Sequence, residues 1–134
     1  MENVRILLVD DERLVRRSME KTLLRAGFNV DTAESAGKAM ALFQAAQTDE
    51  EGPFDIAILD LNMPNFEGVD DPNAGLTLLS KLLEVDPGLP AIVLTAFDEV
   101  ARAKDAVTRG ARAYFVKGRE AGLIELVREI LQLD

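Results

Sequence analysis

The apolar positions fall into five short β-type runs, Arg5 to Val9, Asn29 to Ala33, Ile56 to Leu59, Ala91 to Thr95 and Ala113 to Val116. Runs of this length suit buried strands. Between them the spacing turns helical. The first such stretch puts Leu14 or Val15, Met19, Leu23 and Ala26 on one face before Gly27 stops it. The second predicted helix covers about Ser35 to Ala46, the fourth about Glu99 to Arg109 with Gly110 as its stop, and the fifth about Glu120 to Leu133. Asp71 before Pro72 has the form of an N-cap followed by a first-turn proline, so the third helix is predicted to start there. Its buried face would carry Leu76, Leu79 and Leu83, and it would end near Asp86-Pro87-Gly88. Two connections are longer than the fold needs, Gln47 to Pro53 and Asn65 to Asp71.

Five strand-helix units in register imply a doubly wound α/β fold. Its parallel sheet has helices on both faces, because each right-handed crossover covers one side. A chain of 134 residues is one domain's worth, and the expected domain spans residues 1–134. In such sheets ligands sit beyond the carboxyl ends of the strands. Any chemistry is therefore expected at those ends.

Composition narrows what that chemistry can be. With 24 acidic against 15 basic residues the net charge is -9, which opposes direct binding of nucleic acid or an anionic membrane. There is no cysteine and no histidine. Thiolate chemistry, imidazole metal ligands, imidazole general bases and phosphohistidine are all excluded. No stretch reads as a secretory core or a spanning helix, so a cytoplasmic location is expected.

The residues just past the strands are Asp10 and Asp11, then Asp60, Thr95 and Lys117. Singly, each has an ordinary reading: turn acids, a strand threonine, a solvated lysine, and for Tyr114 plain core filling. Jointly they do not, since turn residues rarely place three acids, a hydroxyl and a lysine at four strand ends of one sheet. Two carboxylates about 4 Å apart repel by roughly 4 kcal/mol at an effective dielectric near 20. Three of them call for a cation. Oxygen ligands and few carboxylates favour a hard ion that keeps its waters, Mg²⁺ rather than a caged Ca²⁺. A lysine and a hydroxyl beside it point to a bound phosphoryl group.

Ile6-Leu7-Leu8-Val9-Asp10-Asp11-Glu12, Asp60-Leu61-Asn62-Met63-Pro64, Leu94-Thr95-Ala96 and Gly110-Ala111-Arg112-Ala113-Tyr114-Phe115-Val116-Lys117-Gly118 together resemble the receiver domains of two-component response regulators. The resemblance spans nearly the whole chain. It implies a flavodoxin-like sheet of strand order 2-1-3-4-5. It also implies that Asp60 takes a phosphoryl group from a histidine kinase or histidine phosphotransfer protein. Mg²⁺ or Mn²⁺ would be held by the side chains of Asp11 and Asp60, by the Asn62 backbone carbonyl, and by Asp10 through water. Lys117 would pair with the acyl phosphate. Thr95 and Tyr114 would be the switch pair that reports phosphorylation to the face of the fourth helix, fifth strand and fifth helix. A downstream protein or output domain would read that face, and a phosphorylation-dependent dimer is a further expectation. Such a protein catalyses its own phosphorylation and dephosphorylation without turning over a substrate.

Two positions depart from the pattern. Gly118 stands where many receivers have a cis proline, so a cis bond is not expected there. The stretch from Pro64 to Gly75 is about a turn longer than usual, and either Gly68 or Gly75 matches the family glycine. Asn62 and Phe97, each two residues past a site residue, are the side chains expected to touch the water that hydrolyses the acyl phosphate, and so to tune its lifetime. Arg102, Lys104 and Arg112 near the reporting face read either as solvated helix charges or as contacts for an acidic partner or a second copy.

Other activities fit less well. A haloacid-type phosphatase needs a second Asp where this chain has Asn62. A flavin carrier needs a phosphate-cradling loop where Asp10-Asp11-Glu12 would repel phosphate. The fifth helix is predicted to finish near the last residue, so the chain reads as a stand-alone receiver or one cut from a longer regulator.

Overall fold

The computed structural model describes residues 3–133, except for the side chain of Phe97. Five long strands form one parallel sheet: β1 (Arg5–Val9), β2 (Asn29–Ala33), β3 (Ile56–Asp60), β6 (Ala91–Thr95) and β7 (Ala113–Val116). Their order is β2-β1-β3-β6-β7, which is the predicted 2-1-3-4-5 once two short extra strands are counted. Those extras are β4 (Met63–Pro64) and β5 (Asp70–Asp71), paired antiparallel. The helices are α1 (Arg13–Arg25), α2 (Ala36–Ala46), α3 (Ala74–Val85), α4 (Val100–Thr108) and α5 (Glu120–Ile130). No helix is long and apolar enough to cross a membrane among the described residues.

Alternation along the strands divides the core in two. Leu7, Val9, Ala57, Leu59, Ala91 and Val93 point to the side covered by α2, α3 and α4. Ile6, Leu8, Ile56, Ile58, Ile92 and Leu94 point to the side covered by α1 and α5. Both faces are dry, which is why β1, β3 and β6 read as unbroken apolar runs rather than alternating ones. On α1 the buried face carries Met19 and Leu23 with Val15 partly buried, while Leu14 is 82% exposed. Ser35 caps α2, its hydroxyl accepting from the Lys38 N–H at 3.2 Å.

The third helix departs from expectation. It starts at Ala74 rather than Pro72, because the backbone of Asp70 and Asp71 is taken into the β4–β5 hairpin. The Asp71 carboxylate still accepts from the Asn73 N–H at 2.8 Å, so the acid closes a turn ahead of the helix instead of capping it. The buried face is Ala74, Gly75, Leu78, Leu79 and Leu82, with Leu76 and Leu83 at its edges. The connection from Asn65 to Asp71 is thus an ordered hairpin. The Asn65 side chain accepts from the N–H groups of Glu67 (2.9 Å) and Val69 (3.1 Å). At the opposite end of the sheet, Arg5 holds the other long connection by donating to Gly52 (2.6 Å) and Asp49 (3.1 Å).

The fifth helix ends three residues earlier than predicted. Gln132 takes a left-handed φ of 57°, and the Leu133 N–H turns back to the Arg128 carbonyl at 2.8 Å. This closing turn satisfies carbonyls that the helix would leave open. The fourth helix is preceded by a 3-10 turn, Phe97–Glu99, so its α-helical part begins at Val100 instead of Glu99.

Candidate phosphoacceptor site

Three polar residues are buried among the described ones: Asp10 (0% exposed), Thr95 (1%) and Asp60 (3%). All three lie at carboxyl ends of neighbouring strands, where the side chains have left the apolar layers. Asp60 is the last residue of β3, paired with Leu94, so its backbone is held by the sheet rather than by a loop. Beneath it the start of α3 presses close. The Gly75 N–H donates to the Leu61 carbonyl at 3.0 Å, and a β-carbon on Gly75 would lie 2.2 Å from the Asp60 carbonyl oxygen. Only glycine lets the helix approach this near. Gly75 therefore occupies the place that the sequence left open between two glycines, while Gly68 sits at the hairpin tip with nothing within 4 Å.

Lys117 gathers the acids. Its Nζ lies 2.9 Å from Asp60 Oδ2, 2.8 Å from Glu12 Oε1 and 3.1 Å from Asp10 Oδ2. Its backbone N–H donates to the Thr95 carbonyl at 2.9 Å, extending the β6–β7 ladder and aiming the side chain across the strand ends. The next residue, Gly118, has a φ of 98°, which a proline ring cannot adopt. Among the described residues no peptide bond is cis.

Carboxylates outnumber the cation. Burial, and then the charge of Asp10, push Asp60 up to about 7 despite the opposing pull of Lys117. Desolvation at the edge of the cluster and the charge of Asp10 likewise raise Asp11, exposed as it is. Burial alone would lower Lys117, but its bond to Glu12 and its attraction to Asp60 outweigh this and raise it. Asp10 Oδ1 accepts from the Glu12 N–H at 2.9 Å, whereas Asp10 Oδ2 is buried without a partner in hydrogen-bonding geometry, its 3.1 Å approach to Lys117 being badly angled. An orphaned buried carboxylate oxygen facing two more acids is what a hard divalent cation would satisfy, so the residues present fit one. One oxygen each from Asp10, Glu12 and Asp60 lies within 4.8 Å of the others.

The sequence motif gives Glu12 no role, and its place beside Lys117 comes from the turn that starts α1. Asp11 does not join this cluster. It is exposed and lines a cleft of about 320 Å³ with Asn62, Met63, Asp70, Asp71 and Pro72. Thr95 donates its hydroxyl to the Ala96 carbonyl at 3.1 Å. Tyr114 pairs with Val93 across β6 and β7 and packs partly buried against the layer under α2, α3 and α4. Strand alternation puts Thr95 and Tyr114 on that same side. The side chain of Phe97 lies outside the described residues. Asn62 is exposed, and its carboxamide is engaged by the 3-10 turn and the start of α4: Nδ2 donates to Glu99 at 2.9 Å and Oδ1 accepts from Arg102 at 3.2 Å. Arg102, read from sequence as a solvated or partner-facing charge, is thus turned inward to the site's rim.

The sequence profile of the response regulator receiver domain matches residues 6–128. The C4-dicarboxylate transport transcriptional regulatory protein DctD of Rhizobium meliloti (strain 1021) is 36% identical over 84% of this chain and 22% of its own length. The chemotaxis protein CheY of Thermotoga maritima is 28% identical over 84% of each chain. Among solved structures, a CheY-like response regulator receiver domain protein from Methanospirillum hungatei JF-1 superposes with a TM-score of 0.79. It is 27% identical and is covered over 97% of this chain and 94% of that one. The receiver domain of NtrX from Brucella abortus gives 0.78 at 26% identity, with 96% and 99% covered. The chain spans 22% and 24% of two of the longer regulators it matches, DctD and the Pseudomonas aeruginosa response regulator protein FleR. With the profile running from β1 into α5, and a buried acid at the end of β3 beside a lysine from the end of β7, this chain belongs to the response regulator receiver domain family.

Proposed function

We propose that Asp60 is the phosphoacceptor, taking a phosphoryl group from a phosphohistidine on a histidine kinase or histidine phosphotransfer protein. An Asp60 carboxylate oxygen forms the bond to phosphorus as the bond to the donor imidazole nitrogen breaks, and the nitrogen leaves with the electron pair. The phosphohistidine is not one of these residues, since the sequence has no histidine. Lys117, 2.9 Å from Asp60, is placed to follow the charge onto the phosphoryl oxygens. Thr95 can exchange its Ala96 carbonyl for a phosphoryl oxygen by rotating its hydroxyl. The metal, Mg²⁺ or Mn²⁺, would be held by Asp10, Asp11, Asp60 and the Asn62 carbonyl. When bound it supplies positive charge to the crowded acids and the transferring group.

Inward motion of Thr95 opens space for Tyr114, and the population of two arrangements shifts. The face of α4, β7 and α5 is then what a downstream protein, an output domain or a second copy would read. Apart from its own phosphorylation and dephosphorylation, the protein turns over no substrate in this reading. The observation that carries it is the buried Asp60 held against Lys117 beside the orphaned Asp10 oxygen.

Incubation with a small phosphodonor and Mg²⁺ should add one phosphoryl mass to the protein and none to Asp60→Asn. Full phosphorylation of that variant, read by intact mass, would refute the assignment.

A further inference from the structure

Arg102 lies in the first turn of α4, and its guanidinium makes three different contacts at the edge of the site. One arm meets Glu99 at 3.1 Å and the Asn62 side-chain oxygen at 3.2 Å. The other arm donates to the Pro72 backbone carbonyl, at the end of the inserted hairpin just ahead of α3. Glu99 closes the ring by accepting from Asn62 Nδ2 at 2.9 Å. Both polar atoms of the Asn62 carboxamide are therefore engaged by the 3-10 turn and the start of α4, although Asn62 lies only two residues past Asp60.

Only a planar fork can serve these partners together, since a lysine ammonium has no two arms fixed in one plane. The partners come from three separate segments, 40 residues (Asn62) and 30 residues (Pro72) from Arg102 along the chain. The ion pair with Glu99 is about one-third exposed on each side, so its worth lies in geometry rather than in Coulomb energy.

We propose that Glu99 and Arg102 are positioning residues that hold the Asn62 carboxamide against the 3-10 turn and the start of α4. Held there, it cannot orient the water that hydrolyses the acyl phosphate, so the clasp lengthens the life of phosphorylated Asp60. This rests on Asp60 being the phosphoacceptor. In the hydrolysis, the water oxygen bonds to phosphorus in line as the bond to the Asp60 carboxylate oxygen breaks. Asp60 departs as a carboxylate, and the water proton passes to bulk solvent with inorganic phosphate. An amide free to turn can accept from that water and fix its approach. A clasped one keeps a lone pair but is fixed in the orientation set by Glu99 and Arg102. The Pro72 contact makes the hairpin part of the device, so a displacement of either the hairpin or the start of α4 releases Asn62.

The test follows the phosphorylated mass with time after the donor is removed, in the wild type, Arg102→Ala, Arg102→Lys and Glu99→Gln. The wild type should decay slowest. Arg102→Ala should decay several-fold faster, with Arg102→Lys close to it because charge alone does not restore the fork. In the Arg102→Ala background, Asn62→Ala should remove the acceleration, as it must if Arg102 acts through Asn62. Equal decay of wild type and Arg102→Ala, or acceleration that survives Asn62→Ala, would overturn the clasp. The side-chain amide resonances of Asn62 in the unphosphorylated protein give a reading independent of phosphorylation. They should move in both Arg102→Ala and Glu99→Gln, and unmoved resonances would overturn the clasp by themselves. Failure of the wild type to take up a phosphoryl group would instead refute the phosphoacceptor assignment, and with it the proposed effect on lifetime.

Discussion

Replacing Gly75 by alanine tests how closely α3 supports the site. The added β-carbon would sit 2.2 Å from the Asp60 carbonyl oxygen and 2.7 Å from Leu61 Cα. Comfortable contacts between non-bonded carbons are about 3.5–4.0 Å, so helix and strand must separate by on the order of 1 Å. Overpacking of this kind costs roughly 1–3 kcal/mol. The separation also strains the Gly75 N–H bond to Leu61, worth about 1 kcal/mol net. Against this, alanine in a helix is about 1 kcal/mol better than glycine. The expected loss is about 2 kcal/mol. In urea unfolding this lowers the midpoint by about 1 M for a slope near 2 kcal/mol/M. Phosphorylation should slow as well, because the strained backbone is that of Asp60. Gly68→Ala is the control: its φ of 79° costs about 1–2 kcal/mol, but the added β-carbon would meet nothing within 4 Å. A Gly75→Ala midpoint within about 0.2 M of wild type would refute the close-approach reasoning.

Asp60, held at about 7, should make the metal-free protein less stable as pH rises from about 4 to about 7. The sign follows because the folded state keeps a proton that the unfolded state has already lost. Urea titrations in chelator should show this slope in wild type relative to Asp60→Asn, and matching pH profiles would exclude it. Asp70→Asn with Asp71→Asn should leave Mg²⁺ affinity within a few-fold, since Asp71 is already committed to Asn73 at 2.8 Å and Asn65 at 3.4 Å. A loss as large as that of Asp11→Asn, by calorimetry, would make the hairpin a source of ligands. Gln132→Gly should raise stability by about 1 kcal/mol, because glycine adopts the left-handed turn at φ 57° without strain. An unchanged or lower thermal midpoint would count against the closing turn of α5.

Much of this protein is encoded locally. Strand runs such as Ile56 to Leu59 and stops such as Gly27 follow from neighbours in the chain. Side-chain period and backbone freedom act over a few residues. Asp10, Asp60, Thr95 and Lys117 are legible as candidates for a related reason: ligands of such sheets bind beyond the strand ends, so finding the strands locates them. The rest needed partners distant in sequence. Asp71 carries a helix-start signature, yet pairing with Met63 draws its backbone into a hairpin, and a cap signal does not encode that competition. Val15 rather than Leu14 packs inward because the sheet sets the rotation of α1, which spacing alone leaves free. Gly75 rather than Gly68 lies under Asp60 because of where α3 crosses β3. Glu12 reaches Lys117 across 105 residues, and Arg102 reaches Asn62 across 40. Those contacts join side chains whose types are ordinary on a surface, so only the packing of the sheet and helices decides that they meet.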